Sequence, residues 1–153
     1  HDMDASPLFP RWELPGYART RLACDGALSA LLLEAASACV ESAGADFHAQ
    51  WGGARPARVH QGLVASGDRF VGLAEASRAL CEQLRGAGHD VLAVEMEGAA
   101  VAQVCHDYGV PFAAVRTVSD RADDAAHVDF VRFVRGVASP YAEGIIGRFV
   151  RML

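Results

Sequence analysis

Three apolar runs, each ending abruptly in polar residues, set the strongest limit on how this chain folds. Val91-Leu92-Ala93-Val94 breaks into Glu95-Met96-Glu97-Gly98, and Pro111-Phe112-Ala113-Ala114-Val115 breaks into Arg116-Thr117-Val118-Ser119-Asp120. Between them, Ala100, Val101, Val104, Cys105 and Tyr108 recur at helical spacing, with Gly109 as a stop. A strand, a helix and a second strand at this length read as a βαβ unit with two parallel strands. Parallel strands end on one edge of their sheet, and ligands of open α/β sheets gather there. Glu97 and Asp120 are therefore expected to face one pocket. The third run, His60 to Ala65, stops at Ser66-Gly67-Asp68-Arg69-Phe70-Val71, where the Gly-Asp turn delivers an aromatic ring to the same edge. An aromatic face beside paired carboxylates suits a flat, nitrogen-rich ligand, since a base stacked on such a ring gains about 1–3 kcal/mol.

Bulk properties narrow the classes further. The chain has 153 residues, 52% of them hydrophobic and 22% charged, which favours a packed domain over disorder. Its net charge is −5 and its Lys and Arg are scattered, so the basic stripe of a nucleic-acid binder is missing. The most apolar stretch, Ala27 to Val40, carries Ser29, Glu34 and Ser37 and is too short and polar to span a bilayer. Cys24, Cys39, Cys81 and Cys105 are widely spaced, which argues for reduced cysteines and a cytoplasmic protein; all but Cys24 fall on expected helices among apolar neighbours. The six histidines form no i, i+4 pair, and Asp123-Asp124 lacks ligand spacing, so no metal or other cofactor is expected. The chain opens on His1-Asp2-Met3-Asp4, which reads as mid-chain sequence; a removed leader and a fragment both account for it.

Local signals place the other elements. Asp25 to Ser42 is expected to be a helix capped by Asp25, with Leu28, Leu31, Leu32, Ala35, Ala36 and Cys39 on its apolar face. A second helix is expected over Leu73 to Arg85, ended by Gly86 and Gly88, and a last helical segment from Asp129 to Leu153, broken or restarted at Pro140. Ala5 to Gly16, with Pro7, Phe9, Pro10, Trp12 and Pro15, reads as an extended loop, and Gly44 to Pro56 as a long connection around Trp51.

Each candidate site residue has a structural role to set beside a functional one. Glu97 reads as an anion at a helix start. Asp120 reads as a turn residue oriented by Ser119. Alternation puts Arg116 on one strand face with Val118 and Asp120, where it pairs with Glu95 or Glu97 or lines the pocket. Phe70 reads as core.

Ser-Gly-Asp-x-Phe, Val-Glu-Met-Glu-Gly-Ala-Ala and Val-Pro-Phe with Arg-Thr-Val-Ser-Asp, in this order and spacing, resemble the nucleoside phosphorylase/hydrolase superfamily. Within it they look most like the 5′-methylthioadenosine/S-adenosylhomocysteine nucleosidases. The resemblance runs from His1 to the last helix and covers the later part of the family domain. It implies a three-layer α/β/α architecture with a central twisted mixed sheet, here without its N-terminal part, and residues 1–153 as the C-terminal portion of a single domain. It implies hydrolysis of the N-glycosidic bond of an adenine nucleoside, with Asp120 as the general acid toward purine N7. By the same resemblance Phe70 stacks on adenine, Val71 contacts the base edge through its backbone, Glu97 binds the ribose hydroxyls and Met96 packs beside the sugar. Glu95, Arg116 and Ser119 complete the wall. Leu8, Phe9 and Pro15 reach the neighbouring subunit's pocket in a homodimer. The family's water-activating glutamate and ribose-side glycine loop match nothing in this sequence, so the chain by itself is expected to be nearly inactive. A purine nucleoside phosphorylase and a non-catalytic adenine-nucleoside-binding module stand as the alternatives.

Overall fold

The computed structural model describes residues 6–43, 57–120 and 133–153. Helix α1, Gly26–Ser42, starts where expected: Asp25 keeps an extended backbone and its Oδ1 accepts from the Leu28 N–H at 2.9 Å. Leu32, Ala35, Ala36 and Cys39 are its buried residues. They meet Val137, Tyr141 and Ile145 from the C-terminal helical segment, and together these form one core cluster.

That segment runs through Pro140 without a break. Val134–Ala138 is wound as a π-turn, and α4, Ser139–Val150, continues from it with the proline in its first turn. A proline lacks the N–H for an ordinary helical bond, and the wider turn removes the need for one there. The Ser139 hydroxyl donates to the Val134 carbonyl at 2.9 Å, closing the wide turn from the side.

Helices α1 and α4 lie close because Gly144 has no side chain. A Cβ at that position would stand 2.7 Å from Cys39 Sγ. Overpacking a core costs about 1–3 kcal/mol, whereas alanine for glycine within a helix gains about 1 kcal/mol. Gly144→Ala is therefore expected to lower the urea midpoint of the full-length protein. Adding Cys39→Ala should relieve the clash and recover much of the loss. A single variant as stable as the parent would show that the two helices move apart freely.

Strands β1, Leu63–Ser66, and β2, Val91–Glu95, pair in parallel. Their register passes an irregularity after Leu63↔Val91 and ends at Ser66↔Glu95. Helix α2, Ala74–Gly86, connects them. It closes on Gly88 at φ 80°, a left-handed turn suited to glycine. Helix α3, Gly98–Asp107, follows β2.

Three expectations need correction. First, residues 111–115 form no strand among the described residues, so the parallel unit observed is β1–α2–β2. The Phe112 carbonyl accepts from the Asp25 N–H at 2.7 Å, and Ala113 and Val115 pack toward the α1–α4 core. The apolar run thus reports burial against helices and not a ladder with β2. Second, the apolar stripe of α3 faces outward. Val101, Val104 and Tyr108 are exposed, while Ala102 is the buried residue of the helix. Cys81 is likewise exposed, against the expectation of a core position; Cys39 is buried and Cys105 half-buried.

The proline-rich segment folds partly onto its own chain. Trp12 and Leu14 are buried, and Leu14 bridges to Arg19. Leu8 is exposed, with Phe9 and Pro15 between these extremes. Trp51, Asp123, Asp124, His1, His48 and His127 lie outside the described residues, as does the whole of the expected connection from Gly44 to Pro56.

Candidate active site

The register match Ser66↔Glu95 sets the site, because both strands stop there and their following loops leave the same sheet edge. Gly67, next after Ser66, donates its N–H to the Glu95 carbonyl at 3.0 Å, extending the pairing into the loop. Phe70 follows on that loop and is 59% exposed, so it is not a core residue. Met96 follows β2 directly and is 43% exposed. The edge therefore presents a ring and a thioether to solvent, an arrangement that monomeric folds usually keep for a ligand or a partner. Val71, next in the chain, is half-buried.

The anion at the start of α3 is Glu95, not Glu97 as the sequence pattern implies. Glu97 is the capping residue of α3 but its side chain makes no capping bond. Glu95 folds back instead: Oε1 and Oε2 accept from the Gly98 N–H at 2.9 and 2.7 Å, and Oε2 also accepts from the Glu97 N–H at 3.1 Å. The first amides of a helix have no partner within it, and a carboxylate satisfies them while meeting the positive end of the helix dipole. Burial pushes the Glu95 carboxyl up. The Ser66 hydroxyl, the Gly98 and Glu97 amides and the Arg116 charge outweigh that and hold it below the usual carboxylate range.

Arg116 joins the two acids. Its Nη2 pairs with Glu95 Oε2 and lies 3.3 Å from Glu97 Oε2. The side chains are 12% exposed for Glu95, 69% for Glu97 and 42% for Arg116. The guanidinium is thus anchored on a half-buried carboxylate and holds a solvent-facing one, which is free to meet hydroxyls on its open side. The Ser119 hydroxyl donates to Asp120 Oδ2 at 2.6 Å, the orienting contact expected of that pair. Asp120 itself is half-buried.

Two residues here were not singled out in the sequence. Ser66 is buried and its Oγ accepts from the Ala99 N–H at 3.1 Å. A Cβ on Gly98 would stand 2.8 Å from Glu95 Oε1. A serine closing an apolar strand, and a glycine opening a helix just after Glu-x-Glu, were the available signals. A surface groove lined by Cys24, Ala102, Cys105, His106 and Phe112 lies along the later half of α3 and shares no residue with this edge. Among the described residues no cluster of His, Cys, Asp and Glu has the makings of a metal site, and no helix is long and apolar enough to cross a membrane.

A parallel αβ unit with acids, an arginine and an aromatic ring at its strand ends matches a known family over nearly the whole chain. Residues 1–151 match the Phosphorylase superfamily, and the chain belongs to it. Over 95 residues it is 40% identical to the 5′-methylthioadenosine/S-adenosylhomocysteine nucleosidase of Actinobacillus succinogenes, covering 62% of this chain and 40% of that protein. The nucleosidase of Neisseria meningitidis, solved with methylthio-immucillin-A, superposes with a TM-score of 0.73 at 33% identity, covering all of this chain and 58% of that one. A futalosine hydrolase mutant of Helicobacter pylori superposes with a TM-score of 0.71 at 30% identity, covering 99% of this chain and 56% of that one. The chain therefore shares their α/β fold and spans less than two thirds of the length of each.

Proposed function

We propose that this chain is the C-terminal portion of a nucleosidase domain. The reaction is hydrolysis of the N-glycosidic bond of 5′-methylthioadenosine and S-adenosylhomocysteine, with release of adenine, a step of methionine salvage. The observation that carries the reading is the Glu95–Arg116–Glu97 bridge, set where the Phe70 and Met96 loops leave the sheet. Similarity to the nucleosidases of Actinobacillus succinogenes and Neisseria meningitidis supports it.

In this reading Phe70 stacks on the adenine and the Val71 backbone meets the base edge. Glu97, held from one side by Arg116, accepts from the ribose hydroxyls, and Met96 packs beside the sugar. The C–N bond lengthens as positive charge develops on the sugar, and the departing base takes a proton at N7. Asp120 donates that proton, with Ser119 fixing the carboxyl that carries it. Water then adds at the anomeric carbon, activated by a base that none of these residues supplies. The domain works as a homodimer in which Leu8, Phe9 and Pro15 of the partner subunit close the pocket. The protein is cytoplasmic, acts on a free nucleoside and needs no cofactor.

The test is adenine release from both nucleosides by the full-length protein, with and without inorganic phosphate. Release without phosphate is the expected result. Release that requires phosphate would move the protein to the phosphorylases, and nucleoside binding without release would make it a binding module.

A further inference from the structure

Ser66 is the one polar residue buried among the described residues, at 8% exposure. Burying a hydroxyl is costly unless its bonds are made, and both are made here. It donates to the Glu95 carboxylate and accepts from the Ala99 N–H at 3.1 Å. Its position opposite Glu95 in the strand register brings it to both groups. Gly98 completes the arrangement from the other side. Its N–H holds Glu95 at 2.7 Å, and its missing side chain leaves room for the carboxylate, which a Cβ would approach to 2.8 Å. Real Cβ atoms do not come that near a heavy atom, so any larger residue at 98 displaces Glu95.

We infer that Ser66 and Gly98 are positioning residues that lock the Glu95 carboxylate between the end of β1 and the start of α3. The lock fixes Arg116, and through it the orientation of Glu97. Gly98 touches Glu95 and Arg116 joins Glu95 to Glu97, so both residues act through the acid–arginine–acid bridge. The effect falls on the sugar side of the site. Base stacking on Phe70 lies beyond the turn that begins at Gly67, outside the bridge.

The inference rests on the proposed nucleosidase reading, and the experiment separates the two. In the full-length protein, Ser66→Ala and Gly98→Ala are compared with Ser66→Thr, which keeps the hydroxyl. Loss of a hydrogen bond to a charged group predicts an increase of about tenfold in KM for methylthioadenosine. The inhibition constant of free adenine should stay at the parent value, and Ser66→Thr should recover most of the KM. A merely structural role would shift the nucleoside and adenine together, and that outcome overturns the inference. Hydrogen exchange at the Glu97, Gly98 and Ala99 amides reads the lock without any activity. Their protection should fall about tenfold in Ser66→Ala. If the parent protein releases no adenine, the nucleosidase reading fails while exchange still decides the lock. If the parent is active and the variants keep its KM and protection, the lock fails and the nucleosidase reading stands. Should Ser66→Ala not fold, Gly98→Ala carries the same test, since alanine suits the first position of a helix.

Discussion

Asp120→Asn in the full-length protein is expected to lower kcat for adenine release by about 10²–10⁴-fold, the usual contribution of a general acid. Nucleoside affinity should hardly change. Asparagine has the shape of aspartate, and the Ser119 hydroxyl that donates to Asp120 Oδ2 at 2.6 Å can donate to the amide oxygen in the same way. What the amide cannot do is give up a proton to N7 as the glycosidic bond breaks. The loss therefore belongs to the transition state and appears in kcat, with KM nearly constant. Single-turnover adenine release measures it. Parent-level turnover by the variant would remove Asp120 from the chemistry.

Glu97→Ala should raise KM for methylthioadenosine and slow turnover as well, by about 10–100-fold in kcat/KM, from loss of charge-assisted bonds to the ribose hydroxyls. The structure adds a prediction about stability that sharpens this one. The Glu97 side chain is 69% exposed and makes no capping bond, and Arg116 keeps Glu95 as a partner when Glu97 is removed. The free energy of unfolding from a urea titration should therefore change by no more than about 0.5 kcal/mol, as for most surface changes. A Glu97→Ala protein that unfolds readily, or one that binds nucleoside like the parent, would count against a ribose-binding role.

The helices were written plainly in the sequence. Asp25 gave the cap of α1 and the Leu32–Cys39 spacing gave its buried face, because caps and helical periodicity are local properties. Glycines marked the end of α2 for the same reason. Less was legible where identity depends on a distant neighbour. The run from Pro111 to Val115 has the composition of a strand, but composition records burial and not hydrogen-bond partners; Ala113 and Val115 turn toward the α1–α4 core. The stripe on α3 was correctly helical, yet periodicity says nothing about which way a helix faces, and Val101, Val104 and Tyr108 face out. At the site, the sequence offered two glutamates one residue apart. Which of them folds back onto the helix is settled by Ser66 across the register and by the space above Gly98, and neither is visible from Glu-Met-Glu alone.

The occupied start of α3 also bears on what kinds of molecule this edge attracts. A bare helix N-terminus gathers phosphates, sulfates and other small oxyanions from solution. Here Glu95 already neutralises it, and a second carboxylate, Glu97, stands 69% exposed beside a guanidinium it shares. Two acids against one arginine leave the edge with a surplus of negative potential, so inorganic anions are repelled and ligands that are neutral, or that turn cationic as they react, are favoured. Such a field weakens as salt rises. Competition by small anions at this edge should therefore be feeble at low ionic strength and become measurable only when the field is screened.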